Sequence, residues 1–220
     1  MPANCYLCGS SQNITRDHIP PEGFFPPDSK QNLITVPCCR KCNDSYKLDD
    51  QATRLWLASC RLCSDQAKWI WENKVQATLA SSPKLKANIQ KHIKVTPIQT
   101  PSGVHQKWTI SFPQDRWKRF AIRICKGLLT HFHPDYDHSN AGFLMRLCDP
   151  FSETDNKLLK EVTDAMTGDS RGGTVFRFWH GLNVDNPDEG VIVLLFYQGV
   201  CWLVSFGHGE RYRQPSLGHG

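Results

Sequence analysis

The stretches Cys5-Tyr-Leu-Cys8 and Cys39-Arg-Lys-Cys42 decide how the first fifty residues of this chain fold. Two CxxC pairs separated by a loop bind one Zn²⁺ tetrahedrally through four thiolates and leave no open position on the ion. A closed site of this kind is structural. Its metal supplies folding free energy to a segment that has few long apolar runs. The two pairs therefore predict a zinc-stapled unit over residues 1–50.

The remaining cysteines are interpreted differently. Cys38 lies beside Cys39 and is a rival ligand, but CxxC spacing favours Cys39 with Cys42. Cys60-Arg-Leu-Cys63 is a third pair, and it falls inside a predicted helix with no partner pair nearby. We expect a soluble, cytoplasmic protein, because the N-terminus lacks a secretory pattern and no run of eighteen apolar residues occurs. Disulfides are not expected there, so metal is the favoured explanation for the paired cysteines.

Apolar periodicity and turn residues predict an α+β fold. We divide the chain into the zinc-bound unit over 1–50, a helical connector over 51–94 and an α+β C-terminal domain of helices and antiparallel strands over 95–220. The predicted helices cover 51–80, 115–132 and 155–166, and the predicted strands cover 104–112, 175–179, 191–197 and 200–206.

Charge is distributed unevenly along the chain. Basic minus acidic residues give −1 over 1–50, +11 over 51–130 and −5 over 131–220, for a net charge of +5. A basic middle segment indicates a polyanionic partner, although a solvated basic surface without a partner gives the same composition.

Part of this charge lies on one face of the predicted helix 115–132, because four basic residues follow i, i+3, i+7, i+10 spacing. They are Arg116, Arg119, Arg123 and Lys126. We expect this face to bind DNA phosphates. The alternative is that it docks an acidic protein surface, including the acidic C-terminal region of the same chain.

Polar residues suited to phosphodiester hydrolysis lie between and beside the CxxC pairs. His18 can be the base that deprotonates water, since histidine ordinarily titrates near neutral pH. Asp17 and Asn43 offer oxygen ligands for a catalytic Mg²⁺ or Mn²⁺. Asn43 directly follows Cys42, so a bound zinc would fix its position. Asn32 can restrain the loop that carries His18 through backbone hydrogen bonds.

Together these motifs resemble the HNH endonuclease family in its zinc-binding, treble-clef form. The residues that carry the resemblance are Cys5–Cys8, Asp17-His18-Ile19-Pro20-Pro21, Asn32-Leu33-Ile34-Thr35-Val36-Pro37 and Cys39–Cys42-Asn43. The resemblance implies a ββα-metal module of two strands and a helix around one catalytic metal. It also implies His18 as the general base, with Asp17 and Asn43 as metal ligands. Asn32 would be the central, structural asparagine. The third signature position holds Asn43 instead of His, which makes the chain a His-Asn-Asn variant.

A second motif, His131-Phe-His133-Pro-Asp135-Tyr-Asp137-His138, resembles the HxHxDH zinc motif of metallo-β-lactamase-type hydrolases. Tyr136 stands where the closing His of that motif should be. The lactamase-like motif follows a strand, whereas residues 116–130 are predicted to be helical. The favoured interpretation is a polar loop that follows a helix.

The sequence therefore predicts a metal-dependent endonuclease that hydrolyses DNA, with structural Zn²⁺ and catalytic Mg²⁺ or Mn²⁺. The resemblance alone suggests a role in phage defence or a mobile element. The alternative is a non-catalytic, zinc-stapled module for nucleic-acid binding or complex assembly. Binding alone would not need the set of Asp17, His18 and Asn43. The expected partners are DNA and, in addition, a regulatory protein subunit or a second copy of the chain.

Overall fold

A computed structural model describes residues 4–59, 64–111 and 114–212. It begins with a tight turn in which the Gly9 N–H donates to the Cys5 carbonyl at 2.8 Å. Gly9 has a φ of 74°, a conformation that favours glycine. The turn is joined to the next element because the Tyr6 N–H donates to the Pro37 carbonyl at 3.0 Å.

An antiparallel hairpin and a short helix follow. Strand β1 (Ile14–Ile19) pairs with β2 (Ile34–Cys39), with His18 opposite Thr35 and Ile14 opposite Cys39. Two 3₁₀ turns, Glu22–Phe24 and Pro27–Ser29, lie in the connection. Helix α1 (Arg40–Ser45) begins directly after β2. The order is therefore turn, two strands and helix, with one CxxC pair at each end.

A helical region and a second hairpin come next. The helices are α2 (Lys47–Ser59), α3 (Asp65–Ile70), a π-helical turn (Trp71–Val75), α4 (Gln76–Ser81) and α5 (Pro83–Gln90). Strands β3 (Ile93–Thr100) and β4 (Gly103–Ile110) form a separate antiparallel pair.

The C-terminal part is a five-stranded antiparallel sheet between two helices. Its elements are α6 (Gln114–Phe132), β5 (Gly142–Cys148), α7 (Glu153–Thr163), β6 (Thr167–Arg171), β7 (Phe176–Leu182), β8 (Glu189–Phe196) and β9 (Val200–Gly207). The strand order is β5-β9-β8-β7-β6. Alternate residues of β9 face opposite sides, so Trp202 packs toward α6 while Cys201 and Leu203 lie in a small cluster with Leu159 of α7.

Helix α6 connects the sheet to the N-terminal unit. Phe120 of α6 stacks on Phe24 at a centroid distance of 5.2 Å and also contacts Phe196 of the sheet. Gly127 meets β1 so closely that a Cβ there would lie 2.5 Å from Ile19 Cδ1. One buried cluster thus runs from Cys5 to Phe206.

The predicted division at residue 50 stays a prediction. Although the first fifty residues have few long apolar runs, they contribute to a buried core. Ile19, Phe24, Phe25, Ile34 and Val36 are each at most 3% exposed and belong to the common core. The N-terminal unit therefore draws stability from apolar burial as well as from the cysteines.

The predicted mixed α+β class with antiparallel sheets is confirmed. The helices predicted over 115–132 and 155–166 are α6 and α7, and the four predicted strands match β4, β7, β8 and β9. The helix predicted over 51–80 is divided into α2, α3, the π-helical turn and α4, and strands β3, β5 and β6 were not predicted. Among the described residues, no helix is long and apolar enough to cross a membrane.

Candidate functional site

Four cysteine side chains converge where the first turn meets the start of α1. The sulfur atoms of the predicted zinc ligands all lie within 4.8 Å of one another, and they belong to Cys5, Cys8, Cys39 and Cys42. The Sγ atoms of Cys8 and Cys39 are 3.7 Å apart. A tetrahedral ion with Zn–S bonds of about 2.3 Å separates its sulfurs by about 3.8 Å, so the donor set fits Zn²⁺.

Backbone N–H groups of the same cluster point at cysteine sulfur atoms and so favour thiolates, which are the form that binds a metal ion. The Cys42 N–H points at Cys39 Sγ at 3.4 Å and so caps the first turn of α1. Burial by itself raises the pKa of the Cys5 thiol, but the backbone N–H groups of Cys39, Cys8 and Leu7 outweigh it and lower that pKa to about 6. N–H groups directed at sulfur favour the negative form, which is the form that ligates zinc.

Cys38 lies outside the cluster, as CxxC spacing predicts. Its Sγ is 4.0 Å from that of Cys5 and 3.6 Å from the Cys39 carbonyl oxygen. Burial, followed by the repulsion of Cys5 and Asp17, raises the pKa of the Cys38 thiol well above its usual value. This keeps Cys38 a neutral core side chain. The third pair, Cys60–Cys63, lies outside the described residues.

Strand β1 directs its two predicted catalytic residues to opposite sides of the hairpin. Side chains alternate along a strand, so Thr15, Asp17 and Ile19 share the inner face and Arg16 and His18 share the outer one. Burial follows this alternation, since Asp17 is 3% exposed while His18 is half-buried and Arg16 is exposed. Of these two residues, His18 is therefore the one that solvent and a substrate can reach.

Asp17 is held in a buried hydrogen-bond network that its motif does not predict. Arg123 of α6 donates from Nη2 to Asp17 Oδ1 at 2.7 Å and from Nε to Asp17 Oδ2 at 3.2 Å. The Tyr6 hydroxyl donates to Asp17 Oδ2 at 2.8 Å. The other edge of the guanidinium donates from Nη1 to both oxygens of Asp50, at 2.7 and 2.9 Å.

This network is a desolvated charge cluster. The side chains of Arg123 and Asp17 are only 1% and 4% exposed. Burial alone would lower the pKa of Arg123, but the carboxylates of Asp50 and Asp17 raise it above its usual value. Burial is also the main reason that the pKa of Asp50 rises to about 6, against the attraction of Arg123. One buried cation is thus shared by two carboxylates, of which Asp17 is buried and Asp50 is 19% exposed.

The prediction that Asp17 binds a catalytic cation is therefore not met in this arrangement. Both carboxylate oxygens already accept hydrogen bonds, and a guanidinium occupies the position that an ion would need. Asn43 directs its Nδ2 at Thr15 Oγ1, 3.5 Å away. In the part of the chain that the structure describes, the four cysteines are the only group of three or more His, Cys, Asp or Glu side chains placed to hold an ion. Mg²⁺ or Mn²⁺ does not fit the predicted pair of ligands.

Asn32 occupies the loop before β2 with a φ of 57°. Asparagine tolerates this left-handed conformation better than most residues. Its side chain is exposed, and no hydrogen bond to it occurs within residues 4–59, 64–111 and 114–212. No side-chain hydrogen bond of Asn32 among the described residues supports the predicted role in restraining the loop of His18, which stays a prediction.

The prediction that the four basic residues of α6 bind phosphate is wrong for Arg123 and stays a prediction for Arg116, Arg119 and Lys126. The three arginines pair with carboxylates of the first fifty residues. Arg119 Nη2 lies 3.1 Å from Asp49 Oδ2, and Arg116 Nε lies 3.7 Å from Asp49 Oδ1. Arg123 is buried, so it cannot contact phosphate here, and Lys126 Nζ lies 6.0 Å from the centre of the Phe143 ring. The acidic surface that the helix docks belongs to α2 and β1, and the C-terminal region is not involved in these pairs.

The histidines after α6 form hydrogen bonds and no metal group among the described residues. His133 Nε2 and His180 Nδ1 form a hydrogen bond of 2.9 Å, and His138 Nε2 lies 2.8 Å from Thr130 Oγ1. His131 is exposed in the last turn of the helix. The interpretation as a polar loop following a helix agrees with this geometry.

Three residues that contact the site or its neighbouring turn were not predicted from the sequence. Tyr6 lies between the first two cysteines, and Asp50 lies in the first turn of α2, but neither belongs to a recognisable motif. Lys74 donates to the Gly23 and Phe25 carbonyls at 3.1 and 3.0 Å, although it lies far from them in sequence. A surplus of basic residues over 51–130 was the one available signal for Lys74, and it did not single that residue out.

Comparisons of the chain with protein-family models, with curated proteins and with solved structures found no match.

Proposed function

We propose that the protein is an endonuclease of the HNH type that hydrolyses DNA phosphodiester bonds, with His18 as the general base. The observation that carries the proposal is the outward position of His18 on a hairpin whose open end, where Ile14 pairs with Cys39, lies at the four-cysteine cluster. The order of turn, hairpin and helix, with a cysteine pair at each end, supports the treble-clef arrangement that the resemblance implies.

In this proposal His18 accepts a proton from water while the water oxygen attacks phosphorus. A new P–O bond forms, the bond to the leaving sugar oxygen breaks, and that oxygen takes a proton from solvent. An anchored imidazole promotes such a step by holding its nitrogen in a fixed position relative to the substrate. Asp17 has a positioning role, because its bonds to Arg123 and Tyr6 fix the strand that carries His18.

The test is plasmid nicking by the full chain, with Mg²⁺, with Mn²⁺ and with EDTA. His18→Ala is compared with His131→Ala, which removes an exposed histidine at the far end of α6. We expect nicking by the wild type and by His131→Ala, and a loss of at least a hundredfold in His18→Ala, the usual contribution of a general base. The zinc content of each sample shows whether EDTA has removed the structural ion. Equal nicking by both variants would rule out His18 as the base.

A second function is favoured by one observation, the closure of Asp17 by Arg123 and Tyr6. A cation-dependent nuclease needs an accessible carboxylate, whereas a non-catalytic module for nucleic-acid binding or complex assembly does not. DNA binding without any nicking, under all three metal conditions and with zinc retained, would support this alternative.

A further inference from the structure

Three cationic side chains surround the turn that follows His18. Lys74, from the π-helical turn, reaches the Gly23 and Phe25 carbonyls. Lys30 Nζ lies 2.7 Å from Glu22 Oε1. Arg54 of α2 packs so closely that a Cβ on Gly23 would lie 2.8 Å from its Nη1.

These cations are not neutralised by equal numbers of carboxylates. Glu22 is exposed and pairs with Lys30. Within the described part of the chain, neither Lys74 nor Arg54 has a carboxylate within 4.0 Å. The buried Nε of Arg54 has no hydrogen-bond partner among the described residues. The turn therefore carries an excess of positive charge and a donor that is not satisfied by protein.

Burial and repulsion by neighbouring cations both act on the ammonium group of Lys74. Burial, followed by the nearby charges of Lys30 and Arg54, lowers the pKa of Lys74 to about 8. Burial also lowers the pKa of Arg54, despite the opposing charges of Tyr197 and Asp50. A bound anion would relieve both the repulsion and the loss of hydration.

The cluster is a neighbour of His18. The hydrogen bond from Lys30 is the main cause that lowers the pKa of Glu22, and the charges of His18 and Lys74 act on the same carboxylate. Because β1 ends at Ile19 and the turn begins at Glu22, the base and the cations lie at one end of the hairpin.

We propose that Lys30 and Lys74, with Arg54 behind them, bind a backbone phosphate of the nucleic-acid substrate next to His18. The inference rests on the proposed function and adds its substrate-binding site. An ammonium has three donors, and the two carbonyls take two of those on Lys74, so one remains for a phosphate oxygen. Contacts of this kind position the backbone without reading its sequence. These lysines offer a phosphate contact away from the basic face of α6, whose arginines pair with Asp49, Asp50 and Asp17.

The experiment measures binding of a fluorescein-labelled DNA duplex to the full chain by anisotropy, over a salt series without divalent ions. Lys30→Gln, Lys74→Gln and the double variant are compared with Lys157→Gln, which removes an exposed lysine on α7. Each lost phosphate contact should lower the slope of log affinity against log salt by about 0.9, and Lys157→Gln should match the wild type. Thermal unfolding checks that each variant is folded, and Lys30→Gln tests the site without disturbing the carbonyls of the turn.

A second probe, inorganic pyrophosphate measured by calorimetry, separates this inference from the proposed function. If the wild type binds DNA and the double variant binds it equally well, the phosphate site is wrong while the nuclease proposal survives. If the wild type binds no DNA, the proposed function fails. In that case the pyrophosphate measurement alone tests whether the lysines form an anion site. Pyrophosphate binding that is lost in the double variant supports an anion site, and binding that is absent or unchanged overturns it.

Discussion

Replacing Arg123 with Met tests whether the arginine of α6 is a core residue or a surface contact. Methionine keeps much of the apolar stem and removes the guanidinium. Asp17 and Asp50 would then remain as two adjacent carboxylates, with side chains 4% and 19% exposed and no cation between them. The variant therefore measures the cost of leaving buried charge uncompensated.

The expected cost is large for a single substitution. Removing one partner of a buried ion pair lowers the free energy of unfolding by about 3–5 kcal/mol, mainly because the remaining charge has lost its partner. Asp17 should account for most of this cost, since Asp50 is nearer to solvent. For a chain of 220 residues, a loss of this size corresponds to a decrease in Tm of roughly 10 °C.

Urea unfolding followed by tryptophan fluorescence measures the effect, because Trp117 and Trp202 pack edge to face next to Phe120 in the core. Arg119→Met is the matched control, since its side chain is 56% exposed and pairs with Asp49 at the surface. Such a pair contributes about 1 kcal/mol or less. Adding Asp17→Asn to Arg123→Met should recover part of the loss. If Arg123→Met and Arg119→Met differed by less than about 1 kcal/mol, the buried network would not have the role assigned to it.

The remaining predictions concern the metal and the pH dependence of folding. Cys42→Ser should lose the bound zinc and destabilise the chain, whereas Cys38→Ser should retain one zinc per chain by elemental analysis; zinc retained in Cys42→Ser would exclude the proposed ligand set. Burial, followed by the charge of His133, lowers the pKa of His180 to about 4. The unfolded chain takes up this proton near pH 6.5 and the folded chain does not. Stability is therefore full above about pH 6.5 and falls by up to about 3 kcal/mol as the pH drops toward 4. His180→Phe, which can stack between Phe132 and Phe178, should flatten this part of the stability curve, and an unchanged curve would contradict the assignment.

Sequence periodicity located α6 well because its apolar and basic residues separate cleanly over nineteen residues. It missed β6, which reads Thr-Gly-Asp-Ser-Arg over Thr167–Arg171 and contains no apolar side chain. It also missed β3, whose Pro97 and polar neighbours argue against a strand. Strand β6 is an edge of the five-stranded sheet, and β3 lies in the isolated pair with β4. In such strands, pairing with a neighbour determines the conformation more than composition does.

The candidate site could be predicted only as far as local spacing reaches. The four cysteines were identifiable because each CxxC pair is a local pattern with a known geometry. The role of Asp17 was not, because its partner Arg123 lies 106 residues away and the same charge pattern suits an exposed face. Likewise, Asp17 and His18 point in opposite directions because side chains alternate along a strand. Treating the two neighbouring residues as one motif does not reveal this difference.

Strand β1 contacts helix α6 at two points: Asp17 meets Arg123, and Ile19 meets Gly127. The two contacts line up although a strand and a helix have different residue spacings. Asp17 and Ile19 are two residues apart on a strand, a rise of about 6.6 Å, while Arg123 and Gly127 are four apart on a helix, a rise of about 6 Å. On the helix, the guanidinium of Arg123 binds the charged strand residue, and the missing side chain of Gly127 leaves room for the apolar one. Transplanting the zinc-anchored hairpin onto another scaffold would therefore require a receiving helix with arginine and glycine at i and i+4. An alanine at the second point would force the strand away and separate the carboxylate from its cation.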